Sequence, residues 1–121
     1  MEPKLTAEQA RRIEEINDYL KVVDHLRRLV TELESNRAAS TRVLENICET
    51  LARELSHMRQ RALTSNIGTL ADLAGSLSIM ASRGGGINLK ILALGDGLNS
   101  MTMQLELALK RASTPESKPQ A

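Results

Sequence analysis

Apolar residues recur along this chain at intervals of three and four, the repeat that gathers them on one side of an α-helix. Ile13, Ile16, Leu20 and Val23 are spaced 3, 4 and 3, as in a coiled-coil seam, and Val22, Leu26, Leu29 and Leu33 lie beside them and widen the apolar face. Thr6-Ala7-Glu8-Gln9 precedes this run as a capping box, in which the Thr hydroxyl and the Gln side chain satisfy free amides at a helix start. The pattern predicts a helix over 7–35. It lapses at Ser35-Asn36-Arg37-Ala38-Ala39-Ser40, and two readings stay open. A polar turn with Ser40 or Thr41 capping a new helix fits the polar seam positions Arg27, Glu34, Arg37 and Thr41. A continuous helix fits the register, which runs on through Leu44, Cys48, Leu51, Leu55, Met58 and Ala62. The turn is preferred.

From Thr41 the apolar spacing continues through Leu63, Ile67, Leu70, Leu73, Ala74, Leu77 and Met80, which predicts one helix over 41–82. Gly84, Gly85 and Gly86 stop it, because three consecutive glycines cost too much backbone entropy to stay helical. They make a turn at 83–87. A last helix is predicted over 88–112, carrying Ile91, Leu92, Leu94, Leu98, Met101, Leu105, Leu107 and Leu109. The tail 113–121, with Pro115 and Pro119, reads as disordered. The fold class is therefore all-α: a single helical domain over 1–112, built as a helical hairpin 41–112 plus an N-terminal helix. It would assemble as a three-helix unit, or as a dimeric four-helix bundle or coiled coil.

Charge divides the chain. Residues 1–61 hold 22 charged side chains, whereas residues 62–109 hold only Asp72, Arg83, Lys90, Asp96 and Glu106. A helix that is weakly polar all round is normally covered on more than one side. The cover must come from the first helix, from another copy, or from both. The seam residues named above, Ile13 to Val23, Leu44, Leu51, Leu55, Met58, Leu63, Ile67, Leu70, Leu77, Leu94, Leu98, Met101 and Leu105, are the expected interfaces. Gly68, Gly75 and Gly97 each cost up to about 1 kcal/mol against Ala inside a helix, so they predict close packing. The methionines at 58, 80, 101 and 103 are expected to fill seams.

Composition excludes more than it proposes. The chain has no Trp or Phe, and Tyr19 is its one aromatic residue. The formal net charge is +1, and basic residues alternate with acids, as in Arg11-Arg12 followed by Glu14-Glu15. Nucleic-acid binding needs a basic face without such neutralisation. No run of about 18 apolar residues suits a membrane helix, and the first residues lack the apolar core of a signal peptide. A cytoplasmic protein without membrane insertion is the expectation. Cys48 is the only cysteine and reads as a small buried apolar residue.

One motif could carry chemistry. Leu55 and Met58 occupy inward heptad positions, which leaves His57 facing solvent. His57-Met58-Arg59-Gln60-Arg61-Ala62-Leu63-Thr64, with Gly68 beyond, resembles the phospho-acceptor helix of histidine-kinase dimerisation and histidine-phosphotransfer hairpins. That resemblance spans about 55 residues and implies a phosphoryl group accepted on His57. Met58 stands where the family usually has an acid, Ala62 where a proline is common, and no ATP-binding domain follows. The implied function is a phosphotransfer or adaptor protein rather than a kinase. Glu54 and His57 also match the Glu-x-x-His spacing of di-iron bundles, but the register does not turn both inward, and His25 has no second ligand one helical turn on. No metal and no cofactor are expected. The leading expectation is a non-enzymatic, homo-oligomeric adaptor, scaffold or regulatory subunit that binds itself and a further protein partner. A histidine phosphotransfer protein and a secreted or phage structural subunit are the alternatives.

Overall fold

The computed structural model describes residues 5–83 and 85–114. They form four helices, α1 (Ala7–Ser35), α2 (Thr41–Ala62), α3 (Leu70–Ser82) and α4 (Ile87–Ser113), with no strand among the described residues. The chain is all-α.

α1 begins at its capping box. The Thr6 amide donates to Gln9 Oε1 at 2.8 Å and the Gln9 amide donates to Thr6 Oγ1 at 3.0 Å, so two free donors are satisfied reciprocally. α1 ends at Ser35 with Asn36 as its C-cap, and Ser40 caps α2 by accepting from the Val43 amide. The 36–40 segment is therefore a turn, the preferred of the two sequence readings. The buried stripe of α1 is Ile16, Tyr19, Val23, Leu26, Val30 and Leu33, spaced 3, 4, 3, 4 and 3. Ile16 and Val23 come from the expected seam and Leu26 and Leu33 from the set expected beside it, while Ile13 and Leu20 are half-buried. Tyr19 is fully buried, so the real seam continues to the helix end, where the expected one met Arg27 and Glu34.

The principal correction concerns 41–82, which is two helices and not one. α2 stops at Ala62, and the backbone reverses through 63–69 before α3 begins at Leu70. Asn66 (φ 53°) and Gly68 (φ 47°) adopt the left-handed conformation that Asn tolerates and Gly accepts without steric cost. Ile67 between them is buried, so the turn itself supplies a core residue. Leu63, Ile67 and Leu70 keep a four-three spacing in the sequence across the break, which explains why periodicity reads through it, although the register through Met58 and Ala62 meets Ser65 and Thr69 there. The final helix also runs one residue further at each end than expected, from Ile87 to Ser113, so Ser113 belongs to α4 rather than to the tail. Residues 115–121 of the expected disordered tail, and Gly84 of the expected turn, lie outside the described residues. Gly85 (φ 140°) supplies the left-handed backbone of that turn.

Contacts between the helices run in opposite sequence order. On α2 and α3, Ser78 Oγ donates to the Ala52 carbonyl at 2.8 Å, while Gly75 lies against the Arg59 side chain. On α1 and α4, Gln9 Nε2 donates to the Thr114 carbonyl at 2.8 Å and Arg27 reaches Asn99 and Thr102. α1 also meets α2, and α3 meets α4, so the four helices close a ring within one chain. Their inner faces share one core, including Leu26, Leu51, Leu55, Leu70, Leu98 and Met101. At 13 residues α3 spans about 20 Å, against about 40 Å for the 27 residues of α4.

A polar cluster locks the 63–69 turn onto α1. The Tyr19 hydroxyl and Ser65 Oγ are 2.6 Å apart, Ser65 Oγ donates to Glu15 at 3.2 Å, and Arg12 donates to the Ser65 and Asn66 carbonyls. The Arg61 guanidinium lies 5.0 Å from the Tyr19 ring centroid, a cation–π contact. Among the described residues no buried side-chain polar atom lacks a partner.

Candidate interaction surface

α3 and α4 approach closely because Gly97 carries no side chain. A Cβ there would run into both methyl groups of Leu77, so the backbone of α4 sits directly on that side chain. Gln104 tightens the far end, accepting from the Thr69 amide at 3.1 Å and donating to Thr69 Oγ1 at 2.9 Å. Lys90 Nζ donates to the Ala81 carbonyl at 3.3 Å at the near end. The two outer faces therefore adjoin as one surface.

That surface is apolar where it should face water. Leu89 is 72% exposed, Leu92 61%, Ile79 55% and Met103 72%. Met80 and Leu107 are also exposed. Beside the glycine turn, Ser76, Ile79, Met80, Arg83, Leu89 and Ala93 line a groove of about 550 Å³. On α4 the outward positions Leu89, Leu92, Asp96, Met103 and Leu107 follow a three-four repeat, a second stripe opposite the core stripe Leu94, Leu98, Met101 and Leu105. Scattered exposed leucines are ordinary, whereas here Ile79, Met80 and Leu89 share one groove across two adjoining helices.

The structure places the sequence-predicted residues in three groups. Ile16, Val23, Leu51, Leu55, Met58, Ile67, Leu70, Leu77, Leu94, Leu98, Met101 and Leu105 are buried in the chain's own core. Ile13, Leu20 and Leu44 are half-buried, and Leu63 is exposed in the turn just beyond α2. Of the three close-packing glycines, Gly75 and Gly97 lie in helices against Arg59 and Leu77, whereas Gly68 lies in the turn against Gln104. Met80 and Met103, expected in seams, face outward. Leu89 drew no attention in the sequence. The signal available was the repeat of Leu89 and Leu92 with Met103, hidden because α4 carries leucines on nearly every side.

His57 lies exposed on the outer side of α2. Its helix ends at Ala62, so Leu63, Thr64 and Gly68 follow it in a turn and not on a continuing helix. Glu54 is held by a different histidine: His25 Nε2 lies 3.1 Å from its carboxylate, tying α1 to α2 at an exposed site. His25 therefore has a partner that its own helix did not reveal. Among the described residues no three His, Cys, Asp or Glu side chains come together as a metal site. No described helix is long and apolar enough to cross a membrane. Cys48 is buried, and burial pushes its thiol above the ordinary range, with the nearby Lys90 charge acting in the opposite direction. A second cavity, of about 670 Å³, opens where the start of α1, the end of α4 and the 63–69 turn meet. Its lining mixes Glu8 with Arg12 and Arg111, so it presents no single sign of charge.

Comparison of the chain with known protein families, with curated proteins and with solved structures gives no match.

Proposed function

We propose that this protein is a self-associating helical interaction module, an adaptor, scaffold or regulatory subunit without catalytic activity of its own. The observation that supports this reading is the exposed apolar cluster of Ile79, Met80, Leu89 and Leu92 on the α3–α4 face. Burying it removes apolar surface from water at about 25 cal/mol per Å². The face carries few charges, so little desolvation cost opposes contact, as at the core of a protein interface. α1 and α2 carry most of the charge and would meet other partners. A cytoplasmic location agrees with this reading.

The test is mass in solution. Sedimentation equilibrium of the full chain over a wide concentration range should show association, and Leu89→Glu should shift the population to monomer while leaving helicity unchanged. A wild-type protein that stays monomeric at every concentration would overturn the proposal.

The exposure of the His57 ring favours a second reading, phosphotransfer through that imidazole, whose nitrogen is nucleophilic near neutral pH. Incubation with phosphorylated receiver domains should then label the wild type and not His57→Gln.

A further inference from the structure

The outward face of α4 carries a charge asymmetry that specifies how two copies would meet. Leu89 and Leu92 are an exposed apolar pair one turn apart on it, beside the exposed Ile79 and Met80 of α3. Asp96 follows them on the same stripe, and Arg83 stands on the other side of the pair, at the end of α3. Both charged side chains are exposed, and among the described residues neither takes part in an ion pair. Asp96 lies about 8 Å along the axis from the midpoint of Leu89 and Leu92, at about 1.5 Å per residue. The same distance in the other direction reaches the glycine turn beside Arg83. The surface is therefore acidic, apolar and basic in succession, and such a sequence is complementary to itself when rotated by a half-turn.

We infer that the partner at this face is a second copy of the chain, bound about a two-fold axis through the Leu89–Leu92 pair. The two α4 helices run in opposite directions, and Arg83 of each copy meets Asp96 of the other. This rests on the self-association reading and adds its register. Ile79 and Met80 of each copy flank the axis and cover the leucines of the other. A parallel arrangement is disfavoured, because it would set the two Asp96 carboxylates side by side, and like charges opposed at an interface weaken it. Opposed about the two-fold axis, the two copies overlap along the first turns of α4 and the last turns of α3, about 16 Å of a face about 20 Å wide, which is less than the about 800 Å² per partner of a stable interface and suits reversible association.

Charge reversal tests the register. Arg83→Asp alone would oppose two acids twice in the dimer, and Asp96→Arg alone would oppose two bases twice. Each should weaken self-association roughly tenfold or more. An equimolar mixture of the two variants should recover association close to the wild-type level, because both cross-pairs in the mixed dimer are again opposite in sign. The double variant Arg83→Asp with Asp96→Arg should recover it as well. All positions are exposed, so unchanged helicity and thermal midpoint serve as the control for folding. Association of the wild type that neither single reversal weakens would overturn this register and leave self-association standing. A wild type that remains monomeric throughout would overturn both. Weakening by each single change without recovery in the mixture would also overturn the two-fold pairing.

Discussion

Gly97→Ala and Gly95→Ala place the same methyl group on the same helix with opposite consequences. Alanine is favoured over glycine in a helix interior by up to about 1 kcal/mol, through reduced backbone freedom in the unfolded chain. Gly95 realises that gain, because a Cβ there meets nothing within 4 Å. At Gly97 the new Cβ would collide with both Leu77 methyl groups and with its Cγ at 2.9 Å. Leu77 is buried and 4% exposed, so it has no open side to turn into. Overpacking of this kind costs about 1–3 kcal/mol, which leaves Gly97→Ala about 0.5–2 kcal/mol less stable than the wild type. The difference between the two variants cancels helix propensity and isolates the α3–α4 contact. For a chain of this length each kcal/mol corresponds to about 3–6 °C in the thermal midpoint. Urea and thermal unfolding should rank Gly95→Ala above the wild type and Gly97→Ala below it. Leu77→Ala should cost less in the Gly97→Ala background than alone, since it removes the colliding methyls. Equal midpoints for the two glycine variants would refute the close approach of α3 and α4.

Other consequences follow from the polar cluster and the buried thiol. Tyr19→Phe deletes one hydroxyl from the Ser65 network and should cost about 1 kcal/mol, whereas Ser65→Ala strands the buried Tyr19 hydroxyl and should cost more, about 1–3 kcal/mol. Urea titration of both variants and of the double variant checks this; the double variant should cost less than the sum. Cys48 keeps its proton in the fold to higher pH than in the unfolded chain, so above the ordinary thiol pKa the unfolded state binds fewer protons. Its contribution to stability is complete below that pKa, near 8.5, and is lost as pH rises beyond it. Cys48→Ala should therefore show a shallower loss of stability between neutral pH and about pH 10, and parallel slopes would count against the buried environment.

The sequence discloses those parts of the fold that depend on neighbours along the chain. The Thr6–Gln9 capping box is local chemistry and appears as read. The α2 stripe from Cys48 to Ala62 is recovered because its burial follows one helical period throughout. The 63–69 reversal is hidden because the exposed Leu63 stands at helical spacing from Ile67 and Leu70, so the sequence offers a repeat where Asn66 and Gly68 turn the backbone. Thr64-Ser65-Asn66 ahead of Gly68 was the local signal, a cluster of residues suited to turns. Tyr19 is a tertiary matter, for its burial depends on Ser65 arriving from 46 residues away. The outward stripe of α4 is equally unreadable in isolation. A helix with leucines on most sides does not reveal which of them its neighbours leave uncovered.

The reversal at 63–69 also changes the kind of assembly that the weakly charged half calls for. As a single long helix over 41–82, that half would be covered by α1 in a three-helix unit or by a second copy in a four-helix bundle, and in the second case folding and association would be one event. With α3 turned back, α1 and α2 of the same chain cover the inner sides of α3 and α4, and a closed four-helix core forms without help. What stays uncovered is the outer stripe from Ile79 to Leu92 and on to Met103. An interface restricted to that stripe adds to a fold that is already complete. The self-association proposed here would therefore be made and broken without unfolding the monomer, and its strength would be set by a few exposed side chains rather than by the core.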